Sequence, residues 1–328
     1  MSRKASITFM LLLLVGTEAC GQSNSNASTA IDRHVERYVE SGNFSGVVLV
    51  EQGKQVVFER AYGFADRERG IRNRVTTRFH IASMSMQFTA AAILRLADQG
   101  VIGLDDHVGQ YLPGIEGADT ITIHDLLVER SGLPDINALP DYNDVLQQHQ
   151  TPASLVAKIQ GPSLLFEPGT KFLHEEHSAY NVLALIVEKK TGLAFSEAMQ
   201  HLVFEPLGLK QSGIDDDSKT AAENAAKGYQ PKGTFEVEPG PPIHWSGKAG
   251  NASVFSTAND ERIWVDALFS GTAMSARSLE AVLASSPRVG YGWFRGMSER
   301  FGENTIGRTV ERPASRPMYC TCQLDRRR

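Results

Sequence analysis

The spacing of apolar residues near the start of the chain predicts one helix followed by a β-hairpin. Over residues 29–41 the apolar side chains recur at helical spacing, at Ile31, Val35, Tyr38 and Val39. Two short runs rich in β-branched and aromatic residues come next, Ser45–Glu51 and Gln55–Arg60. Because Gln52-Gly53-Lys54 between them is a turn signal, the two runs are predicted to pair as antiparallel strands.

Helical patterns dominate the middle of the chain. The apolar run Ser83–Gln99 predicts a central helix, and Ile121–Val128 predicts a helix that leads into a turn at Ser131–Pro134. Helical patterns separated by Gly and Pro continue over residues 152–210. Strand-like residues return near Gly290–Phe294. Because strands at both ends enclose helices, the pattern favours an α+β fold.

The first residues carry the features of an export signal. Arg3 and Lys4 precede a short apolar run, Ile7–Gly16, which is too short to span a bilayer comfortably. Cys20 follows, and a polar stretch rich in Gly, Ser and Asn comes after it.

This pattern resembles a bacterial lipoprotein cleavage site. It predicts a signal peptide over residues 1–19, lipidation of Cys20 and a tether over residues 20–28. The protein is then exported to the periplasm or cell envelope, with the membrane as a partner through the lipid anchor. The alternative is an ordinary cleaved signal in which Cys20 has no role.

The composition of the chain limits the classes of protein to which it can belong. The chain of 328 residues has 41% hydrophobic residues, enough for a large buried core. Its formal net charge of −5 gives no electrostatic reason to expect nucleic-acid binding. Among the three cysteines, Cys320 and Cys322 are too close in sequence for an ordinary structural disulfide, so no disulfide framework is predicted.

Ser83 is the first candidate catalytic residue. It is the first residue of the predicted central helix and lies within the segment Arg78–Ala90. A Ser at such a position is most often a helix N-cap. The segment is nevertheless similar to the nucleophile segment of the serine β-lactamase and penicillin-binding-protein-like hydrolases. Further segments fit that family in the same order: Thr76–Phe79, Leu104–Pro113, Ile121–Leu127, Ser131–Pro134, Pro168–Phe172, Phe204–Leu209, Gly250 and Ser256–Ala258.

The resemblance implies a fold and an activity. The family fold is an antiparallel sheet flanked by helices with a mostly helical domain inserted. Here the domain would cover residues 29–310, with the insertion at about 100–240. The family hydrolyses amides and esters through an acyl-serine and needs no cofactor. Small molecules or peptidoglycan-like peptides are therefore the expected substrates, with Ser83 as nucleophile.

The sequence departs from the family at the groups that move protons. A Ser hydroxyl is a weak nucleophile that needs a nearby base, and a Lys three residues later lies on the same helix face. Met86 occupies that Lys position, and its thioether takes no proton at neutral pH. In the second family motif, Tyr-x-Asn, Glu175 replaces the Tyr and His177 replaces the Asn.

Three interpretations of these replacements remain open. The first is loss of catalysis, which would leave a non-catalytic cell-wall or peptide-binding module. The second is a rewired base, in which a carboxylate or imidazole near Ser83 accepts its proton. The third is a metal-dependent hydrolase that uses His174, Glu175 and His177, although their spacing differs from that of the zinc protease motif.

The third family motif places a cation and a hydroxyl on the strand that lines the cleft. Arg308 and Thr309 stand there, and Arg308 is expected to meet a substrate carboxylate. Beyond Thr309 the resemblance ends in an atypical basic tail, residues 311–328. We therefore expect the C-terminal strands and final helix of the family to be missing, with at most a short strand over Met318–Leu324. A sheet edge left unpaired in this way would favour aggregation.

Overall fold

A computed structural model describes residues 26–42, 44–174, 176–218, 225–232, 236–284, 289–298, 303–312 and 315–320. The chain divides into two compact units, Met1–Thr77 and Arg78–Arg328. The predicted signal peptide and Cys20 lie outside the described residues, as does Glu175. Within the described ranges, no helix has the length and apolar character that a membrane crossing requires.

The first unit contains the predicted helix and hairpin. Helix α1 covers residues 26–40. Strands β1 (Gly46–Gln52) and β2 (Gln55–Tyr62) pair antiparallel, joined by Gly53 and Lys54 at φ of 55° and 66°. Two consecutive positive φ values are typical of the turn that matches strand twist in a two-residue hairpin. A second short hairpin, β3 (Phe64–Asp66) and β4 (Ile71–Arg72), completes the unit.

The second unit contains the remaining helices. A 3-10 turn, Ala82–Ser85, leads directly into the first of them, α2. The bounds are α2 Met86–Asp98, α3 Ile123–Leu127, α4 Tyr142–Val145, α5 Pro152–Lys158, α6 His177–Thr191, α7 Phe195–Met199, α8 Ala258–Ser270 and α9 Ala276–Ala284. Helices α3 to α7 fall within the predicted helical insertion.

The strands of the second unit are short at first and longest near the end. Their bounds are β5 Phe79–His80, β6 Gly213–Ile214, β7 Tyr229–Lys232, β8 Glu236–Pro239, β9 Val254–Ser256, β10 Val289–Gly290, β11 Trp293–Ser298, β12 Glu303–Arg312 and β13 Ser315–Cys320. They form antiparallel sheets in the orders β5-β9-β6, β7-β8 and β10-β11-β12-β13. The α+β class with antiparallel strands and helices is confirmed.

Strand β13 corrects one expectation about the C-terminus. The sequence predicted that the family's C-terminal strands were missing, with at most a short strand over Met318–Leu324. Instead, β13 covers Ser315–Cys320 and pairs antiparallel with β12, with Arg308 opposite Cys320 and Thr309 opposite Tyr319. Pro317 lies where the register shifts, a position at which a residue without an N–H is tolerated. Backbone pairing therefore extends the sheet with residues whose sequence does not resemble the family. The predicted absence of a final helix concerns residues 321–328, which lie outside the described ranges.

Helix α2 is the centre of the core, as its apolar pattern predicts. Phe88 is fully buried, and its ring centroid lies 4.7 Å from that of Trp264 and 5.7 Å from that of Phe204. The indole Nε1 of Trp264 donates to Gln87 Oε1 at 2.9 Å, which satisfies a buried amide. These contacts fix the rotation of α2 and therefore the direction in which its first turn faces.

Candidate active site

Ser83 lies on a short turn that is held firmly at both of its ends. The preceding residue, Ala82, has φ of 49°, a left-handed conformation uncommon for a residue with a side chain. The N–H of Ile81 donates to the carbonyl of Val254 at 3.0 Å, and the N–H of Val254 donates to Ser85 Oγ at 3.0 Å. Strand β9 therefore holds the chain on each side of Ser83, through the backbone of Ile81 and the side chain of Ser85.

Ser83 is buried just before the N-terminus of α2. Ser83 is 7% exposed, and none of the described residues forms a hydrogen bond with its hydroxyl. Its carbonyl accepts the N–H of Met86, the first residue of α2. Because a helix N-terminus presents N–H groups and a positive field, an oxyanion formed at this turn would be stabilised.

Met86 has the burial of a core residue. It is 0% exposed and belongs to the main apolar cluster, although it stands at the position predicted to correspond to the family's Lys. Its thioether supplies packing at this point and no proton acceptor for Ser83.

The residue before α6, Glu176, forms the first of three links to the loop Ser131–Asn137. Glu176 is fully buried, and its carboxylate accepts the Ser131 hydroxyl at 2.8 Å and the Ser131 N–H at 3.2 Å. Burial raises the pKa of Glu176 to about 7, the hydrogen bonds from Ser131 oppose that rise, and the nearby Glu129 adds to it. A buried carboxyl that titrates near neutrality therefore lies at the start of α6.

The next two residues of α6 form the other links. Nδ1 of His177 lies 2.8 Å from Nδ2 of Asn137 and 3.3 Å from Oδ1 of Asp135. The hydroxyl of Ser178 accepts the N–H of Ile136 at 2.8 Å. Three consecutive residues, Glu176 and the first two residues of α6, thus hold the loop Ser131–Asn137.

Gly250 joins the first turn of α2 to the first turn of α6. Its carbonyl accepts the hydroxyl of Thr89, the fourth residue of α2, at 2.7 Å. Its Cα lies so close to Tyr180, the fourth residue of α6, that a Cβ would stand 2.2 Å from the Tyr180 carbonyl oxygen. With φ of 85° as well, this position requires Gly.

The turn at Tyr291 and Gly292 makes a second connection between α2 and α6. The N–H of Tyr291 and the hydroxyl of Tyr180 both donate to the carbonyl of Leu127, at 3.0 and 3.2 Å. A Cβ at Gly292 would stand 2.5 Å from the backbone N of Gln87. Both connections therefore run from the first turn of α2 to Tyr180 in the first turn of α6.

The structure gives the position of most residues of the predicted site. Ser83 lies on the turn before α2, Met86 is the first residue of α2, and His177 is the first residue of α6. Strand β12, which carries Arg308 and Thr309, packs against the turn Ala82–Ser85. The catalytic and binding roles assigned to these residues remain predictions.

The metal interpretation finds no further support in the described part of the chain. Glu175, one of its three ligands, lies outside that part, and Nδ1 of His177 faces Asn137 and Asp135. Within the described ranges, no group of three or more His, Cys, Asp or Glu side chains is arranged to hold a metal ion.

Sequence reasoning missed the groups that organise the site. Sequence patterns predicted a turn at Ser131–Pro134 but did not predict that Glu176 is buried against that turn. The only feature of the sequence that could have indicated this burial is an acidic residue just before a helix.

Two surface cavities of about 390 and 420 Å³ lie elsewhere, one beside Arg78 and one beside Gly161. Neither is lined by Ser83 or His177, so cavity volume does not mark this site.

The raised pKa of Glu176 gives a pH-dependent prediction for stability. The folded state favours the neutral acid, so this contribution is complete below the ordinary pKa of 4.5 and is lost as the pH rises through about 7. Because Gln stays neutral, we expect Glu176→Gln to be more stable than the parent above pH 7, by up to about 3 kcal/mol. The gain should vanish below pH 4.5.

Urea denaturation between pH 4 and 8.5 measures this difference. Glu116→Gln is the matched control, because Glu116 is exposed and should give no pH-dependent change. A difference between Glu176→Gln and the parent that stays constant across this range would contradict the assignment.

Comparison with known proteins relates most of the chain to one protein family. Residues 31–306 match the family model described as Beta-lactamase. The Bacillus subtilis protein PbpX, whose name assigns it to the penicillin-binding proteins, is 28% identical over 270 residues, which cover 80% of this chain and 66% of that protein. The chain thus spans somewhat less than two thirds of that relative.

Two solved structures share the fold. The penicillin-binding protein of Bacillus halodurans is 26% identical, with a TM-score of 0.73 and coverage of 84% of this chain and 86% of that one. The D-amino acid amidase of Ochrobactrum anthropi SV3 is 21% identical, with a TM-score of 0.72 and coverage of 88% and 85%.

Proposed function

Because the chain belongs to the beta-lactamase family of serine hydrolases, we propose that it acts on amide or ester bonds through an acyl-serine at Ser83. The observation that carries the proposal is the turn Ala82–Ser85, which presents Ser83 at the N-terminus of α2 with β12 packed against it.

The proposed reaction has two halves. The Ser83 oxygen attacks the substrate carbonyl carbon, a base takes the hydroxyl proton, and the amine or alcohol leaves with a proton. Water then releases the acyl group by the same route in reverse. N–H groups at the start of α2 stabilise the oxyanion in both halves, and Arg308 on β12 binds a substrate carboxylate.

The proposed substrates are small molecules or peptidoglycan-like peptides. Relatives named as penicillin-binding proteins and a fold neighbour named as a D-amino acid amidase support this class. We propose that no metal or other cofactor takes part.

We further propose that turnover is slow. Met86 and Glu175 replace the Lys and Tyr that move protons in the family, and the loss of a positioned base costs about 10²- to 10⁴-fold in rate. The complete burial of Met86 in the apolar core also favours a second candidate, a non-catalytic module that binds cell-wall peptides in the same cleft.

Covalent labelling separates the two candidates. We expect a fluorophosphonate or penicillin probe to label the protein slowly at Ser83, and Ser83→Ala to abolish the label. Ser163→Ala, which changes an exposed serine, is the control and should label like the parent. A folded protein that takes up no label at Ser83 under prolonged exposure would favour the binding module and reject the acyl-serine.

We also propose that the protein is exported and anchored in the cell envelope through lipid on Cys20. The basic start, the short apolar run and the polar residues after Cys20 support this proposal. We expect mass spectrometry of the membrane fraction to show a mature chain that begins at acylated Cys20. An unmodified Cys20, or cleavage at another position, would rule out the anchor.

A further inference from the structure

Residues 67–74 of the first unit differ in charge from the chain as a whole. They include four arginines and one glutamate, a formal charge of +3, whereas the whole chain has a formal net charge of −5. They contain the turn and the second strand of the hairpin formed by β3 and β4, and every residue from Arg67 to Arg72 is exposed. This basic hairpin, residues 64–74, therefore presents positive charge on a protein that is acidic overall.

We propose that the basic hairpin is a docking surface for a membrane of anionic phospholipids. The proposal goes beyond the acyl-serine chemistry at Ser83 and does not depend on it. It adds a second membrane contact to the proposed lipid anchor on Cys20, and it can be tested in a chain that lacks that anchor.

Three arginines of the basic hairpin supply the electrostatic attraction. Arg69, Arg72 and Arg74 are exposed, and no carboxylate of the described residues pairs with any of them. The guanidinium of Arg72 lies 4.6 Å from the centre of the Phe64 ring, a contact that orients the cation without neutralising its charge. An arginine close to an anionic membrane strengthens binding about fivefold, and this effect falls off within a Debye length.

Apolar side chains stand among these arginines. Ile71 is 41% exposed and Val75 is 37% exposed. Arginines alone would suit any soluble polyanion, whereas aliphatic side chains beside them fit the boundary between the headgroups and the acyl chains of a bilayer. The combination therefore favours a lipid surface over a soluble anion.

Hydrogen bonds within the first unit hold the basic hairpin in place. At its base, Nδ2 of Asn73 donates to the carbonyl of Tyr62 at 2.8 Å, and the Asn73 N–H donates to the carbonyl of Gly63 at 3.1 Å. At its turn, the N–H of Arg69 donates to Asp66 Oδ1 at 3.0 Å. Because the backbone is already ordered, docking on a membrane would lose little conformational entropy.

Helix α1 places the base of the basic hairpin close to the proposed anchor. The hydroxyl of Tyr62, two residues before β3, donates to Asp32 Oδ1 at 2.6 Å. Asp32 lies six residues beyond the first residue of α1, about 9 Å along the helix, and the chain from Cys20 to residue 26 spans at most about 20 Å. Asp32 and the hairpin base beside it would then lie within about 30 Å of an acylated Cys20, so that both contacts could be made on one membrane.

Sedimentation with unilamellar vesicles tests the docking. The protein is the full chain with Cys20→Ala, which removes the lipidation position, and the vesicles consist of phosphatidylglycerol or of phosphatidylcholine. We expect tighter binding to phosphatidylglycerol, by about tenfold or more, and weaker binding as salt is added. The triple variant Arg69→Gln, Arg72→Gln and Arg74→Gln should bind phosphatidylglycerol about 10²-fold more weakly. Residues 1–19 are the same in every protein compared, so their own affinity for lipid cancels.

Two control variants isolate the basic hairpin from the total charge and from general hydrophobicity. The control triple variant Lys189→Gln, Lys210→Gln and Arg277→Gln removes the same charge from exposed positions of the second unit and should bind within about threefold of the parent. Ile71→Ser should weaken binding to phosphatidylglycerol about fivefold. Val56→Ser, which removes an exposed valine from β2, should leave binding unchanged.

Two results would overturn the proposal. Undiminished binding of the hairpin triple variant, or an equal loss in the control triple variant, would show that the hairpin has no special role. Inorganic polyphosphate tests the alternative of a soluble polyanion: if it binds the parent as tightly as the vesicles do, and Ile71→Ser binds vesicles like the parent, the hairpin is an anion-binding surface and not a membrane contact. Circular dichroism and urea denaturation check that each variant is folded. Because labelling of Ser83 is a separate measurement, failure of the docking leaves the acyl-serine standing.

Discussion

Met86→Lys combined with Glu175→Tyr is expected to raise the rate of Ser83 acylation by about 10²- to 10⁴-fold. Residue 86 follows Ser83 by three positions, so a Lys amine there reaches the Ser oxygen across one helical turn. Because residue 86 is fully buried, desolvation would lower the pKa of the Lys and make it a better base at neutral pH. The Tyr would return the phenol that exchanges protons with the leaving group.

Pre-steady-state acylation by a penicillin or a nitrophenyl ester measures this gain. Met86→Leu is the matched control, because it keeps the apolar volume, supplies no base and should not accelerate acylation. If the double variant folds with a normal urea transition and still acylates no faster than the parent, residues 86 and 175 do not occupy the family's proton-transfer positions.

Gly250→Ala is expected to produce the largest loss of stability among single changes in this region. The new Cβ would stand 2.2 Å from the Tyr180 carbonyl oxygen and 2.9 Å from the Ala184 Cβ, and φ at this residue is 85°. Left-handed strain costs about 1 to 2 kcal/mol, and forced displacement of packed atoms adds about 1 to 3 kcal/mol. We therefore expect the free energy of unfolding to fall by about 2 to 5 kcal/mol, because the junction between α2 and α6 must open.

Gly271→Ala separates the two contributions. Gly271 also has positive φ, at 77°, but nothing lies within 4 Å of its Cβ position. Its replacement should cost only the strain, about 1 to 2 kcal/mol. Equal losses for Gly250→Ala and Gly271→Ala in urea denaturation would show that the close approach of Gly250 to α6 does not hold the two helices together.

Much of the fold could be predicted from local sequence patterns. The hairpin of β1 and β2 follows from two β-rich runs around a two-residue turn, and α2 follows from an apolar run that ends before Gly100. Both depend on contacts between residues close in sequence, where periodicity and turn chemistry act directly. The replacement of Lys by Met86 is equally local, because it is defined by a spacing of three residues from Ser83.

The C-terminus shows where family likeness was a poor guide. The tail after Thr309 matches no family segment, yet Ser315–Cys320 pairs with β12. A strand needs only backbone groups in register beside an open edge, and the side-chain pattern predicted only a short strand over Met318–Leu324, which overlaps this one at residues 318–320. The unpaired edge expected there is therefore covered in part.

The sequence by itself determined the family segments, and it predicts the nucleophile position at Ser83 and the replacement of the usual base by Met86. Only the tertiary structure decided that the first turns of α2 and α6 are connected, through contacts such as Thr89 to Gly250, which are 161 positions apart. It also decided that Glu176 is buried against Ser131 and that His177 faces Asp135. Such pairings depend on how packed helices bring distant loops together, and no periodicity within one segment encodes them.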